Sequence, residues 1–166
     1  ARYENAAMDD PLYLEGVQRV GSMGYTYDVM VYHPQLSEIV DVARACPETP
    51  IVLDHLGCIL GTGPYKDRRE EILQYWRTQM ADIASCGNVY LKLGGIGMPM
   101  MGFRWDKRDR PATSLELAEA WSEPIQYAIE VFGADRCMFE SNFPVDKRGV
   151  GYVPLWNSFK LIAAGC

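Results

Sequence analysis

The chain has 166 residues, 48% hydrophobic and 23% charged, a balance suited to one folded domain with a real core. A net charge of −6 argues against a nucleic-acid groove, and the apolar runs are too short to cross a bilayer. No signal peptide is read at the start, and the five scattered cysteines lack a CxxC pair, so free thiols in a reducing, cytoplasmic setting are expected.

A helix at about Pro11 to Met23 comes first. The β-branched and aromatic run Tyr27 to Tyr32 predicts a strand, and the residue before a proline is pushed to extended geometry, so His33 should end that strand at Pro34. Leu36, Ile39, Val40 and Ala43 then recur at helical spacing until Pro47. A second strand, Ile51 to Asp54, ends at His55. Ile72, Tyr75, Trp76, Met80 and Ile83 give the stripe of a longer helix. Val89 to Leu93 is a third strand, closed by Gly94-Gly95. Thr113 and Glu116 form a capping box for a helix that Pro124 should split or kink and Gly133 should end. Arg136 to Glu140 is the fourth strand, and Tyr152 to Ala163 a final helix.

Strands alternating with helices indicate an α/β fold with parallel pairing, either doubly wound or part of a barrel. A complete (β/α)₈ TIM barrel takes about 250 residues. Four βα units are half of one, and the open edges of a half-barrel lead us to expect that the isolated chain aggregates or needs partner strands.

Ligands bind at the carboxyl ends of parallel strands. The only two histidines, His33 and His55, both fall there. A structural role is the ordinary alternative for either one. As site residues they can hold a zinc-like divalent metal, act as bases, or polarise a carbonyl oxygen. Glu140 and Asn142 lie two apart, so on an extended strand they share a side. The stretch from Gly94 to Ala112 lacks periodicity, as a lid or a subunit-contact loop would. Its aromatic Trp105 and the cations Arg104 and Lys107 suit an anionic small-molecule substrate.

Four motifs, Tyr32-His33-Pro34-Gln35-Leu36, Leu53-Asp54-His55-Leu56-Gly57, Lys92-Leu93-Gly94-Gly95 and Phe139-Glu140-Ser141-Asn142-Phe143-Pro144-Val145-Asp146-Lys147, resemble the amidohydrolase-related (amidohydrolase 2) family. They stand in the family's order and cover nearly the whole chain, most closely in the branch of TIM-barrel hydrolases that contains lactonases. The resemblance implies that residues 1–166 are the C-terminal half of one barrel domain, its four strands being the fifth to eighth, truncated at both ends and inactive alone. It places His33 and His55 as metal ligands. Asn142 stands where many members carry an aspartate; an amide is a weaker ligand and no base, so Glu140 or Asp146 would activate water instead. Hydrolysis of a lactone or similar cyclic ester or amide is the implied reaction. Non-oxidative decarboxylation of a carboxylated aromatic and a catalytically silent acid-binding barrel are the alternatives.

Overall fold

Strands and helices alternate along residues 8–165, the part of the chain described by the computed structural model. α1 (Pro11–Ser22) begins where the Asp10 carboxylate accepts the Leu12 N–H at 2.8 Å. β1 (Tyr27–Val29), α2 (Leu36–Ala45), β2 (Ile51–Leu53), α3 (Arg69–Ala84), β3 (Val89–Leu93), α4 (Ser114–Phe132), β4 (Cys137–Phe139) and α5 (Tyr152–Ala163) follow.

The strands form one parallel sheet in the order β1-β2-β3-β4. Neighbours in sequence are neighbours in space, with no reversal of order. A doubly wound sheet turns back at a switch point, whereas this one winds one way, as an arc of a (β/α)₈ barrel does. Consecutive helices from α2 to α5 touch one another and lie along one face. On β3, Val89, Leu91 and Leu93 are buried in the core shared with those helices, while Tyr90 and Lys92 are half-buried on the opposite, concave face. Trp76, Met80, Ile83, Trp121 and Phe159 fill the space between sheet and helices. Among the described residues β1 and β4 each pair on one side only, which leaves the two edges that four βα units imply.

The amino ends of the strands are stitched by side chains that reach backbone carbonyls of helix ends, loops and a strand. Asn88 Nδ2 lies 3.0–3.2 Å from the carbonyl oxygens of Ala43, Cys46 and Thr49. The Arg136 guanidinium donates to the carbonyls of Ala84, Cys86, Val89 and Phe132.

The structure corrects several expectations. β1 stops at Val29, because the last bond across to β2 runs from the Asp54 N–H to the Val29 carbonyl. His33 therefore opens a 3₁₀ turn, His33–Gln35, instead of ending the strand. β4 stops at Phe139. α4 runs unbroken through Pro124. The proline has no N–H for the Ala120 carbonyl, and the Arg69 guanidinium from α3 donates to that oxygen instead, at 3.4 Å. The 94–112 segment, read as lacking periodicity, is packed and partly ordered: Ile96, Met98, Met101 and Trp105 are buried, and two 3₁₀ turns, Pro99–Met101 and Trp105–Lys107, run within it. Cys46, Cys58, Cys86 and Cys137 are free thiols, and Cys166 lies outside the described residues. No helix among the described residues is long and apolar enough to cross a membrane.

Candidate active site

The carboxyl ends of β2, β3 and β4 converge on one pair of side chains. His55 follows β2, Glu140 follows β4, and the His55 Nδ1 is hydrogen-bonded to Glu140 Oε1. Since β3 lies between these strands, the pair closes across the end of β3, where Gly94 and Gly95 stand. A Cβ on Gly94 would overlap Glu140 Cγ and the Glu140 carbonyl oxygen. A Cβ on Gly95 would sit 2.7 Å from both Cβ and Cγ of His55, and the positive φ of 67° there already favours glycine. The glycine pair is the saddle over which histidine and carboxylate meet.

Burial opposes a charged His55 ring. The hydrogen bond to Glu140, its charge and those of Asp54 and Asp146 outweigh that, so the pKa rises above its ordinary 6.5. With Glu140 holding Nδ1–H, the tautomer is set and Nε2 has no hydrogen-bond partner among the described residues. His55 and Leu56 both take positive φ, 56° and 55°, in the turn that ends at Gly57. The Trp76 indole N–H secures that turn by donating to the Leu56 carbonyl at 2.8 Å.

Beneath the pair lies a charged layer on the concave face. Lys92 Nζ meets Asp28 Oδ2 at 2.9 Å and Asp54 Oδ1 at 2.8 Å. Burial works against the lysine charge, but the bonds to Asp54 and Asp28 prevail and raise its pKa. Sequence reasoning missed Asp28, Asp54 and Lys92. The alternation of Val89-Tyr90-Leu91-Lys92-Leu93 held the signal, since period two sends Lys92 to the face opposite the leucines.

Asn142 does not share a strand face with Glu140. Its φ of 51° is left-handed, a cis Phe143–Pro144 bond follows, and its amide donates to Asp146 Oδ1 at 2.9 Å. Asp146 is fully buried, and its Oδ2 accepts the Gly97 N–H at 2.8 Å. Burial lifts the Asp146 pKa to about 6, while the bonds from Gly97 and Asn142 pull the other way. With both oxygens engaged, Asp146 ties the loop after β4 to the loop after β3. It is not placed to activate water.

His33 sits apart from the pair. Its ring is buried, its Nδ1 accepts the Leu60 N–H at 3.2 Å, and Tyr65 packs edge-on with centroids 4.7 Å apart. Burial pushes its pKa down to about 4, with Arg68 adding to the effect. A histidine depressed in the folded state stabilises fully above its unfolded value of about 6.5, and that stability is lost as pH falls through the folded value. The shift corresponds to about 3 kcal/mol. The advantage of the wild type over His33→Asn in urea unfolding should therefore shrink by about 2–3 kcal/mol between pH 7.5 and pH 4.5. A gap of the same size at both values would mean that His33 is not held neutral.

Arg104 and Lys107 line a cavity of about 550 Å³ between the segments after β2 and β3, whose walls include neither His55 nor Glu140. Trp105 is not among its lining residues; it is buried and stacked on Phe103, centroids 4.5 Å apart.

As for a metal, a histidine whose Nδ1–H is held by a carboxylate has the orientation of a metal ligand. Among the described residues, however, no group of three or more His, Cys, Asp or Glu side chains is arranged to hold an ion. His33 has its Nδ1 committed elsewhere. The described residues do not by themselves fit a metal.

The sequence profile of the amidohydrolase family matches residues 2–166. The chain belongs to that family. It is 33% identical over 155 residues, 93% of its length, to the uncharacterised protein y4mH of Sinorhizobium fredii, of which it covers 46%. It is 28% identical over 165 residues to an L-fucono-1,5-lactonase of Burkholderia multivorans, covering 96% of this chain and 53% of the enzyme. An amidohydrolase of Burkholderia multivorans crystallised with bound zinc superposes with a TM-score of 0.82 at 23% identity, over 98% of this chain and 55% of that one. The chain thus spans about half the length of these relatives, and its four strands are part of an amidohydrolase barrel.

Proposed function

We propose that this chain carries the proton-transfer pair of a hydrolase that opens a lactone or a similar cyclic ester. The observation that carries the reading is the His55–Glu140 pair, held across Gly94-Gly95 at the carboxyl end of the sheet. Lactonase-named relatives support the choice of substrate class.

In this reading His55 Nε2 takes a proton from water as the oxygen attacks the lactone carbonyl carbon. The carbonyl π pair moves to its oxygen, and Glu140 stabilises the imidazolium through Nδ1–H, the division of labour of a histidine–carboxylate couple. When the carbonyl re-forms, the ring C–O bond breaks and its electron pair stays on the departing oxygen. The imidazolium returns the proton to that oxygen, giving a hydroxy acid. The Asn142–Asp146–Gly97 ties hold the two flanking loops so that Glu140 keeps its place.

The test is a pH-stat assay of the complete protein against a panel of aldono-1,5-lactones including L-fucono-1,5-lactone. Acid release well above the spontaneous rate is expected for at least one of them. No release from any lactone, with CO₂ released from a carboxylated aromatic, would turn the assignment to decarboxylation. Binding of lactones without turnover would leave only a silent barrel.

A further inference from the structure

A cavity opens beside Arg104, lined by neither His55 nor Glu140. Its volume of about 550 Å³ falls within the range of small-molecule sites. Leu60, Tyr65, Pro99, Met101 and Phe103 give it apolar walls, and Lys66, Arg69, Arg104 and Lys107 outnumber Asp67 and Asp106 around it. A local excess of two positive charges stands out in a chain whose net charge is −6.

The cations are not equivalent. Arg69 is spent on the Ala120 carbonyl and lies over the rings of Phe103 and Trp121, 4.5 and 5.0 Å from their centroids. Lys107 and Lys66 have acidic neighbours at 3.4 and 3.8 Å. The Arg104 guanidinium has no hydrogen bond or ion pair among the described residues, and its backbone holds a left-handed φ of 55°. Left-handed backbone costs an arginine free energy, and such outliers gather at ligand sites.

The frame is also preformed. The Gly61 N–H donates to the Met100 carbonyl at 2.9 Å, and a Cβ on either Gly61 or Gly102 would lie 2.5 Å from a backbone oxygen of the facing segment. Backbone against backbone leaves little room for the two walls to collapse, which lowers the ordering cost of binding.

We propose that this cavity binds a small organic carboxylate with an apolar body, separately from the His55–Glu140 pair, with the Arg104 guanidinium as the carboxylate's partner. A planar guanidinium meets a carboxylate through two parallel hydrogen bonds, and the apolar walls take the rest of the molecule.

Benzoate is the probe, titrated calorimetrically into the complete protein, with acetate and benzyl alcohol as partners lacking the ring or the charge. Benzoate should bind with a Kd below about 1 mM, and the other two at least about tenfold more weakly. R104G and R104Q should each weaken benzoate by at least about tenfold without lowering the thermal midpoint, since glycine adopts the left-handed backbone freely. H55Q should retain benzoate binding within about twofold, because His55 does not line the cavity. Absence of benzoate binding, or unchanged binding in both Arg104 variants, would overturn the proposal. So would binding lost in H55Q but kept in R104G, which would place the carboxylate at the His55–Glu140 pair.

Discussion

His55→Ala is expected to lower kcat/KM for lactone hydrolysis by about 10³-fold, the middle of the range for removing a general base. The loss should fall on kcat, because the proton transfer occurs in the transition state. Far-ultraviolet circular dichroism should be unchanged, since the turn that carries His55 is secured by Trp76 and not by the histidine. Glu140→Gln tests the second half of the pair. The amide keeps the shape but cannot stabilise an imidazolium by charge, so a loss of about 10²-fold is expected. The double variant should cost little more than His55→Ala alone, because the two residues act as a unit. Activity surviving in His55→Ala would remove the pair from the mechanism.

Gly95→Ala is expected to be nearly as damaging without touching a charged group. The added methyl meets His55 Cβ and Cγ at 2.7 Å, and the φ of 67° is unfavourable for alanine. Overpacking and left-handed backbone together should cost about 2–4 kcal/mol of stability. Displacing the His55 ring should also reduce kcat by about 10²-fold, the scale of a misplacement near 1 Å. Gly94→Ala should act likewise from the Glu140 side. Gly87→Ala is the control, because a Cβ there meets nothing within 4 Å. If Gly95→Ala behaves as Gly87→Ala does, in both melting and rate, the saddle is not what positions the pair.

Much of the architecture was legible before the structure. The β-branched runs and the amphipathic stripe of α5 located the elements, since local pattern and final fold agree there. Strand ends were less legible, because a ladder stops where its partner stops. Nothing in Met30 to Tyr32 announces that β2 is already finished at Leu53. Pro124 misled for a related reason: the donor that rescues the Ala120 carbonyl, Arg69, lies on another helix.

The site divides in the same way. His55 and Glu140 were marked by falling at strand ends, a one-dimensional signal. That His33 turns toward Tyr65 while His55 turns toward Glu140 depends on rotamers and on the turns after each strand. The glycine pair after β3 read as simple punctuation. Its role appears only once two strands on either side of it must touch. Asn142 read as sharing a strand face with Glu140, but the left-handed backbone turns it to Asp146, and Glu140 is left to face the histidine.

The most direct test of the His55–Glu140 pair follows its ionisation and the rate together. His55 should titrate above 6.5 by ¹⁵N NMR in the complete protein, and kcat/KM should rise with pH through the same midpoint as the ring becomes the neutral base. Glu140→Gln removes the charge that opposes burial and leaves only a weaker, neutral acceptor for Nδ1–H, so both midpoints should move down together. A rate profile whose midpoint stays fixed while the His55 titration moves would contradict the assignment of His55 as the base.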